Sequence, residues 1–350
     1  MRQHVTSGSR AAILTAALAL AALGSPALAQ DDPAAFFKDR QLRLVVGSAA
    51  GDGYDINARV LARHWVNHIP GKPQIVIQNQ PGAASVPMTN ALYSGAPRDG
   101  SVIGAAINGM TTAPLVTPDV VKFDLAKLIW IGSTNHDIQL TYLWHTSPVR
   151  TPQDLMTQEV VVGATNAGTT HVDYPLLARA LFGLRFKLVS GYPGTQPVHI
   201  AMERGEVAGF GANGWLALKA LKADWLEQKK VHFVMQYSMQ RSPLFPDVPA
   251  IGEIAKTDVD RQAIEMMVTR LQFGRPFFLP PDVPAARVEA LRRAFDATMK
   301  DAAFLAEAEK AKLDVLPMKG EDIGPLVARV LATPPAVVER VKAALAGGAK

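Results

Sequence analysis

Residues 45–59 read VVGSAAGDGYDINAR. An apolar run ends at small residues and glycines. Ile56, Val60, Leu61, Trp65 and Ile69 then recur at the spacing of one helix face. Pro70-Gly71 stops that helix. The unit is strand, loop, helix. Gly51 and Gly53 let a ligand approach the backbone closely. The helix is expected to begin near Asp55, and its free amides suit a carboxylate or phosphate. A tight turn with Asp55 as an ordinary N-cap explains the same residues. The two readings are compatible, since a capped helix still presents other amides.

The rhythm repeats outward from this unit. PQIVIQN (73–79) reads as a strand, QPGAAS (80–85) as a loop, PMTNALYSGA (87–96) as a helix, and RDGSVIGAAIN (98–108) as a turn and strand. It resumes with EVVVGA (159–164), a loop, and the helical YPLLARALFG (174–183). FKLVSGY, PVHIAMERGE, VAGFGA and WLALKALKADWL follow between 186 and 226. From Pro284 the pattern is mainly helical, in PAARVEALRRAFDATMKD and PPAVVERVKAALA. The alternation predicts an α/β protein of two similar units with largely parallel sheets. Ligands of such sheets bind at the carboxyl ends of strands. Two facing units would gather those loops around one cleft.

Composition narrows the class. Arg2 and Arg10, the apolar AAILTAALALAAL (11–23) and the small residues of ALA (27–29) read as a secretory signal peptide over 1–29. The run is too short for a confident membrane span. The chain has no cysteine, so an exported form has no disulfide and no lipidated cysteine. Roughly 320 remaining residues can bury a core without such staples. Loss of Arg2 and Arg10 lowers the net charge from +5 to +3. No dense basic run with interleaved aromatics is present, which argues against nucleic acid. A mildly basic surface suits small anions.

Other motifs point to binding, not chemistry. GATNAGTT (163–170) nearly fits a phosphate loop, but Thr169 stands where the lysine should be. What remains is a hydroxyl-rich loop before a helix, able to bind a carboxylate or simply to cap. GFGANG (209–214) matches a dinucleotide pattern weakly and reads better as a strand-loop-helix junction offering Asn213. His64 and His68 share a helix face at zinc-ligand spacing, but no third ligand suggests itself, and both read as surface residues. No G-x-S-x-G or S-x-x-K is present. Trp130, Tyr142 and Trp144 read as core. No catalytic residue, metal or cofactor is expected.

Taken in order, RLVVGSAAGDGYDINAR, VIQNQPGAAS, APRDGSVIG, GATNAGTTHVDYPLLARALFG, GYPGT, AMERGEVAGF and GRPFFLPPDVPAARVEALRRAFDATMKD resemble the Bug-type receptors. These are the extracytoplasmic solute-binding proteins of tripartite tricarboxylate transporters. The resemblance spans nearly the whole chain after residue 29. It implies a type II periplasmic-binding-protein fold, a Venus flytrap of two α/β domains joined by two crossing strands around a ligand cleft. Domain 1 would comprise 30–138 plus 271–350, and domain 2 would comprise 139–270. The crossings would fall near 135–140 and 268–275.

The resemblance further implies a periplasmic monomer that delivers a small organic carboxylate to a permease of one large and one small subunit. Family receptors hold the carboxylate through backbone amides, small hydroxyls and water. Carried over by position, the first loop supplies Ser48, Ala49, Ala50, Gly51, Asp52, Gly53, Tyr54 and Asp55, with Arg59 as the motif's arginine. The second supplies Gly82, Ala83, Ala84 and Ser85, and the next strand end supplies Asn108. Domain 2 supplies Asn166, Ala167, Gly168, Thr169, Thr170, Tyr192 and Asn213.

One departure bears on the ligand. Asp52 interrupts the family's consecutive glycines, and an unpaired aspartate repels a carboxylate. Either Asp52 points to solvent, or the ligand carries an amine or amide end. Tyr54 could cover an apolar or aromatic ligand body. An exported hydrolase using the same cleft, and a receptor that signals to a sensor, are the alternative functions.

Overall fold

The computed structural model describes Met1 and residues 32–347. Apart from Met1, the expected signal peptide lies outside the described residues. Among those residues, no helix is long and apolar enough to cross a membrane.

Two mixed sheets organise the chain. The first has the order β11-β4-β10-β3-β1-β2. Its strands are β1 (Gln41–Val46), β2 (Gln74–Asn79), β3 (Val102–Ala105), β4 (Ile129–Ser133), β10 (Pro276–Leu279) and β11 (Met318–Lys319). The second has the order β7-β6-β8-β5-β9. It comprises β5 (Gln139–Trp144), β6 (Val160–Gly163), β7 (Phe186–Val189), β8 (Gly209–Gly214) and β9 (Val231–Gln236).

Neither sheet is fully parallel, and the exceptions have a cause. β1 pairs in parallel with β2 and β3, and β6 with β7 and β8. β10 and β5 run antiparallel to both of their neighbours. Each follows a segment that passes from one sheet to the other. Such a strand starts at the cleft and runs away from it, opposite to strands that end there. The two passages lie side by side. The Asp137 amide donates to the Leu271 carbonyl at 2.7 Å, and the Gly274 amide donates to the Asn135 carbonyl at 2.9 Å.

Burial follows the two-residue period of a strand covered on both faces. Leu42, Leu44 and Val46 join the core under the Gly53–His68 and Ala285–Thr298 helices. Val45 turns the other way, into a cluster with Met88, Leu92, Trp130 and Phe278. Trp65 anchors the first layer, edge-on to Phe277 and Phe295 at 6.1 and 5.8 Å between ring centroids. The second sheet is likewise covered on both faces. Trp130 and Tyr142 are core residues, and Trp144 packs edge-on against Trp225.

Three local readings need correction. GFGANG is strand throughout, with the helix starting only at Trp215. Its Gly211 is a point of close approach, because a Cβ there would lie 2.4 Å from Pro175 of the Thr170–Phe182 helix. His64 and His68 are not free surface residues. They bond Glu307 at 2.6 Å and Asp301 at 2.7 Å, fastening the Gly53–His68 helix to the Ala302–Lys310 helix and its cap. The Pro335–Ala346 helix, expected with the first unit, buries Val337, Val338, Val341 and Ala344 in the core of the second sheet.

Candidate functional site

The first loop is braced by two aspartates with different tasks. The helix begins at Gly53, and Asp52 is its N-cap, accepting from the Tyr54 amide at 3.2 Å. Asp55 is therefore not the cap. It lies in the first turn, 1% exposed, and reaches back to accept from the Gly51 amide at 2.8 Å. It also accepts from Arg59 at 2.8 Å and from Asn79 at 2.9 Å. Burial works against its charge, but Arg59, the Gly51 amide and Asn79 outweigh it and hold the carboxyl below its ordinary value. Asp52 is open to the cleft. Protein around it still displaces enough water to push its carboxyl up, against the pull of the Tyr54 amide and Arg275. Tyr54 turns its hydroxyl to the Asn108 amide at 3.4 Å and lies under the Arg275 guanidinium, 5.2 Å from the ring centre.

The second loop is wound left-handed. Gly82, Ala83, Ala84 and Ser85 have φ of 131°, 36°, 51° and 70°. Three consecutive non-glycine residues in that region cost energy that surrounding contacts must offset. Ser85 supplies them: its hydroxyl donates to the Gly47 carbonyl at 3.1 Å and accepts from the Ile107 amide at 2.9 Å. The turn thereby ties the ends of three parallel strands together.

The opposite wall has its own brace. Asp173, in the first turn of its helix, accepts from the Gly168 amide at 3.0 Å and from Arg270 at 3.2 Å. From this wall a polar chain runs inward. The Thr165 hydroxyl contacts His171 Nδ1 at 2.9 Å, and His171 Nε2 contacts Asn213 Oδ1 at 2.9 Å. Asn213 donates to the Tyr142 hydroxyl at 2.7 Å, which contacts His199 Nε2 at 2.9 Å. The Asn213 oxygen accepts from His171 and from the Gly214 amide, so His171 carries its proton on Nε2.

Burial drives His171 down to about 4 and His199 down to about 3. Above the ordinary histidine value of 6.5, both are neutral whether the chain is folded or not. Below it, the unfolded chain takes up protons that the folded chain refuses. Stability contributed by His171 should therefore fall as pH drops from 6.5 towards 4, by about 3 kcal/mol at the acid limit. Urea unfolding across that window tests this, with His171→Gln expected to show the shallower slope. Equal slopes would exclude His171 as the source.

Between the walls lies a cleft of about 360 Å³, a volume that suits a small organic molecule. It is lined by the expected residues Ser48, Ala49, Ala50, Gly51, Asp52, Gly53 and Tyr54. Gly82, Ala83, Ala84, Asn108, Asn166, Thr169, Thr170 and Asn213 also line it. Asp55, Ser85, Ala167, Gly168 and Tyr192 do not. Asp55, Ser85 and Gly168 take part in the bracing bonds, and Tyr192 packs on a core cluster of the second sheet. Several expected amides are already engaged: Gly51 with Asp55, Tyr54 with Asp52, Gly168 with Asp173, and Ser85 with the Gly82 carbonyl.

Polar atoms without partners lie instead on side chains around the cleft. They are Ser48 Oγ, both polar atoms of the Asn108 side chain, Asp137 Oδ1, Gln139 Oε1, and Nε and Nη1 of Arg275. Asp137 and Arg275 come from the two passages between sheets, and Gln139 is the first residue of β5. None carried a motif of its own. The nearest signal was the GRPFF stretch that contains Arg275. Among the described residues, no cluster of three or more His, Cys, Asp or Glu is placed to hold a metal ion.

Comparison with known proteins agrees with this geometry. No family model matches the chain. A UPF0065 protein from the gbd 5′ region of Cupriavidus necator is 30% identical over 264 residues, covering 72% of this chain and 74% of that protein. The periplasmic binding protein BugD superposes with a TM-score of 0.65 at 20% identity, covering 88% of this chain and 98% of BugD. MatC of Rhodopseudomonas palustris with bound malate gives 0.64 at 17% identity, covering 87% and 99%.

Two α/β lobes around a cleft, joined by paired passages, are the fold of the periplasmic binding proteins. The chain belongs to the UPF0065 family, the Bug-type solute receptors. Membership of that family stands against the exported-hydrolase alternative.

Proposed function

We propose that the protein captures a small organic carboxylate in the periplasm and, as a monomer, hands it to the permease of a tripartite tricarboxylate transporter. One observation carries the carboxylate. Arg275 is 7% exposed, lines the cleft, and leaves Nε and Nη1 without partners. A guanidinium so placed has lost water without gaining an anion. A ligand carboxylate supplies what it lacks through charge-assisted hydrogen bonds. Ser48 and Asn108 stand in the same cleft with free polar atoms. Malate bound to MatC supports the ligand class. Because loops of both lobes line one cleft, a ligand touching both favours a closed arrangement that a permease can recognise.

Calorimetry on the chain lacking residues 1–29, against mono- and dicarboxylates, tests the reading. Arg275→Met should weaken binding about 100-fold. A folded protein that gives no heat with any carboxylate would sink it.

A further inference from the structure

We infer that the ligand is a zwitterion, whose carboxylate meets Arg275 and whose ammonium group meets Asp137 and Gln139. This rests on the carboxylate reading above and narrows it.

Gln139 carries the assignment of the ammonium end. Its Nε2 donates to Asp137 Oδ2 at 2.6 Å. That bond fixes which end of the amide is nitrogen, because a carboxylate accepts and an amide oxygen cannot donate to it. Gln139 Oε1 is therefore held as an acceptor, and it is buried without a partner. Asp137 Oδ1, on the residue that Gln139 grips, is also buried and unpartnered. One hydrogen-bonded pair of cleft residues thus holds two acceptors with no donor to satisfy them. Both side chains press on the cleft wall at Gly214. A Cβ there would lie 3.1 Å from Asp137 Oδ1 and 3.3 Å from Gln139 Nε2.

Charge points the same way. The ionisable groups lining the cleft are Asp52, Tyr54, Asp137, Arg275 and His171, and burial keeps the Tyr54 hydroxyl protonated. With His171 neutral, two carboxylates face one guanidinium. A ligand bearing only carboxylates would satisfy Arg275 and then crowd a second negative group against acceptors. An ammonium brings three donors and a positive charge to that end. It meets both orphaned oxygens and leaves the filled cleft closer to neutral. Burial pushes the Asp137 carboxyl up against the pull of Arg275, and no hydrogen bond joins the two. A zwitterion placed between them would complete both.

The test compares probes that differ only by an ammonium: propionate with β-alanine, butyrate with γ-aminobutyrate, and succinate with L-aspartate. Affinities are measured by calorimetry on the chain lacking residues 1–29. In at least one pair the ammonium member should bind about tenfold tighter or more. Asp137→Asn, nearly identical in shape, should collapse that ratio to about one. The comparison on the unaltered protein stands even if the variant fails to fold. If both members of every pair bind equally, or the members without the ammonium bind tighter, the zwitterion is overturned and the carboxylate reading survives. A preference that Asp137→Asn leaves intact likewise overturns the assignment to Asp137. If no probe binds, both fall together.

Discussion

Replacing Arg270 with methionine is expected to destabilise the protein by about 3–5 kcal/mol, the cost of stranding a buried charge. Arg270 is 1% exposed and stands where the two lobes meet. It donates to Asp173 Oδ2 at 3.2 Å and to the Thr112 hydroxyl at 3.1 Å. Its guanidinium also lies over the Tyr174 ring, 5.0 Å from the centre. Without it, the Asp173 carboxylate stays buried with only the Gly168 amide to answer it. Burial already pushes that carboxyl up against the pull of Arg270. Asp173→Asn should be costly for the mirror reason, because it leaves the guanidinium alone. The double variant should recover much of the loss, since removing both charges removes the stranded one. Urea unfolding of all four proteins gives the coupling directly. Single variants within about 0.5 kcal/mol of the parent would show that the pair is not what holds this junction.

Gly47→Ala is the second large effect, expected to cost about 3 kcal/mol through overpacking and lost hydrogen bonds. A Cβ at Gly47 would fall 2.0 Å from Ser85 Oγ and 2.5 Å from Ser85 Cβ. Ser85 cannot easily withdraw. Its left-handed backbone and its bonds to the Gly47 carbonyl and the Ile107 amide fix it on both sides. The turn must unwind or the strand end must move, and both line the cleft. Ligand affinity should therefore fall together with stability. A variant of parental stability, measured by urea unfolding, would mean that the turn yields freely.

The sequence made the scaffold legible because its signals there are redundant. Around residues 41–68 the change from strand to helix period, the glycines and the Pro-Gly stop all agree. The capping residue was harder. Asp52 and Asp55 are equally good caps by type, and only the fold decides which carboxylate reaches which amide. Glycine was ambiguous at 209–214, since it marks turns and also places where another element approaches closely. The packing of Pro175 on Gly211 decides for the second. The cleft floor was out of reach. Asp137 and Arg275 are ordinary residues in sequence and become a site only where two distant passages run side by side.

The two lips of the cleft carry matching clasps, an aspartate reaching back to a glycine amide, but they are anchored differently. Asp55 takes its arginine from its own helix, four residues on. Asp173 takes its arginine from the passage between lobes, and that arginine also holds Thr112 of the opposite lobe. One jaw is self-supporting and the other leans on the hinge pin. Any swing of the lobes leaves the grip of the first jaw unchanged and must reshape the second, so the loop at 165–170 is where the angle of the hinge is felt by whatever the jaws hold.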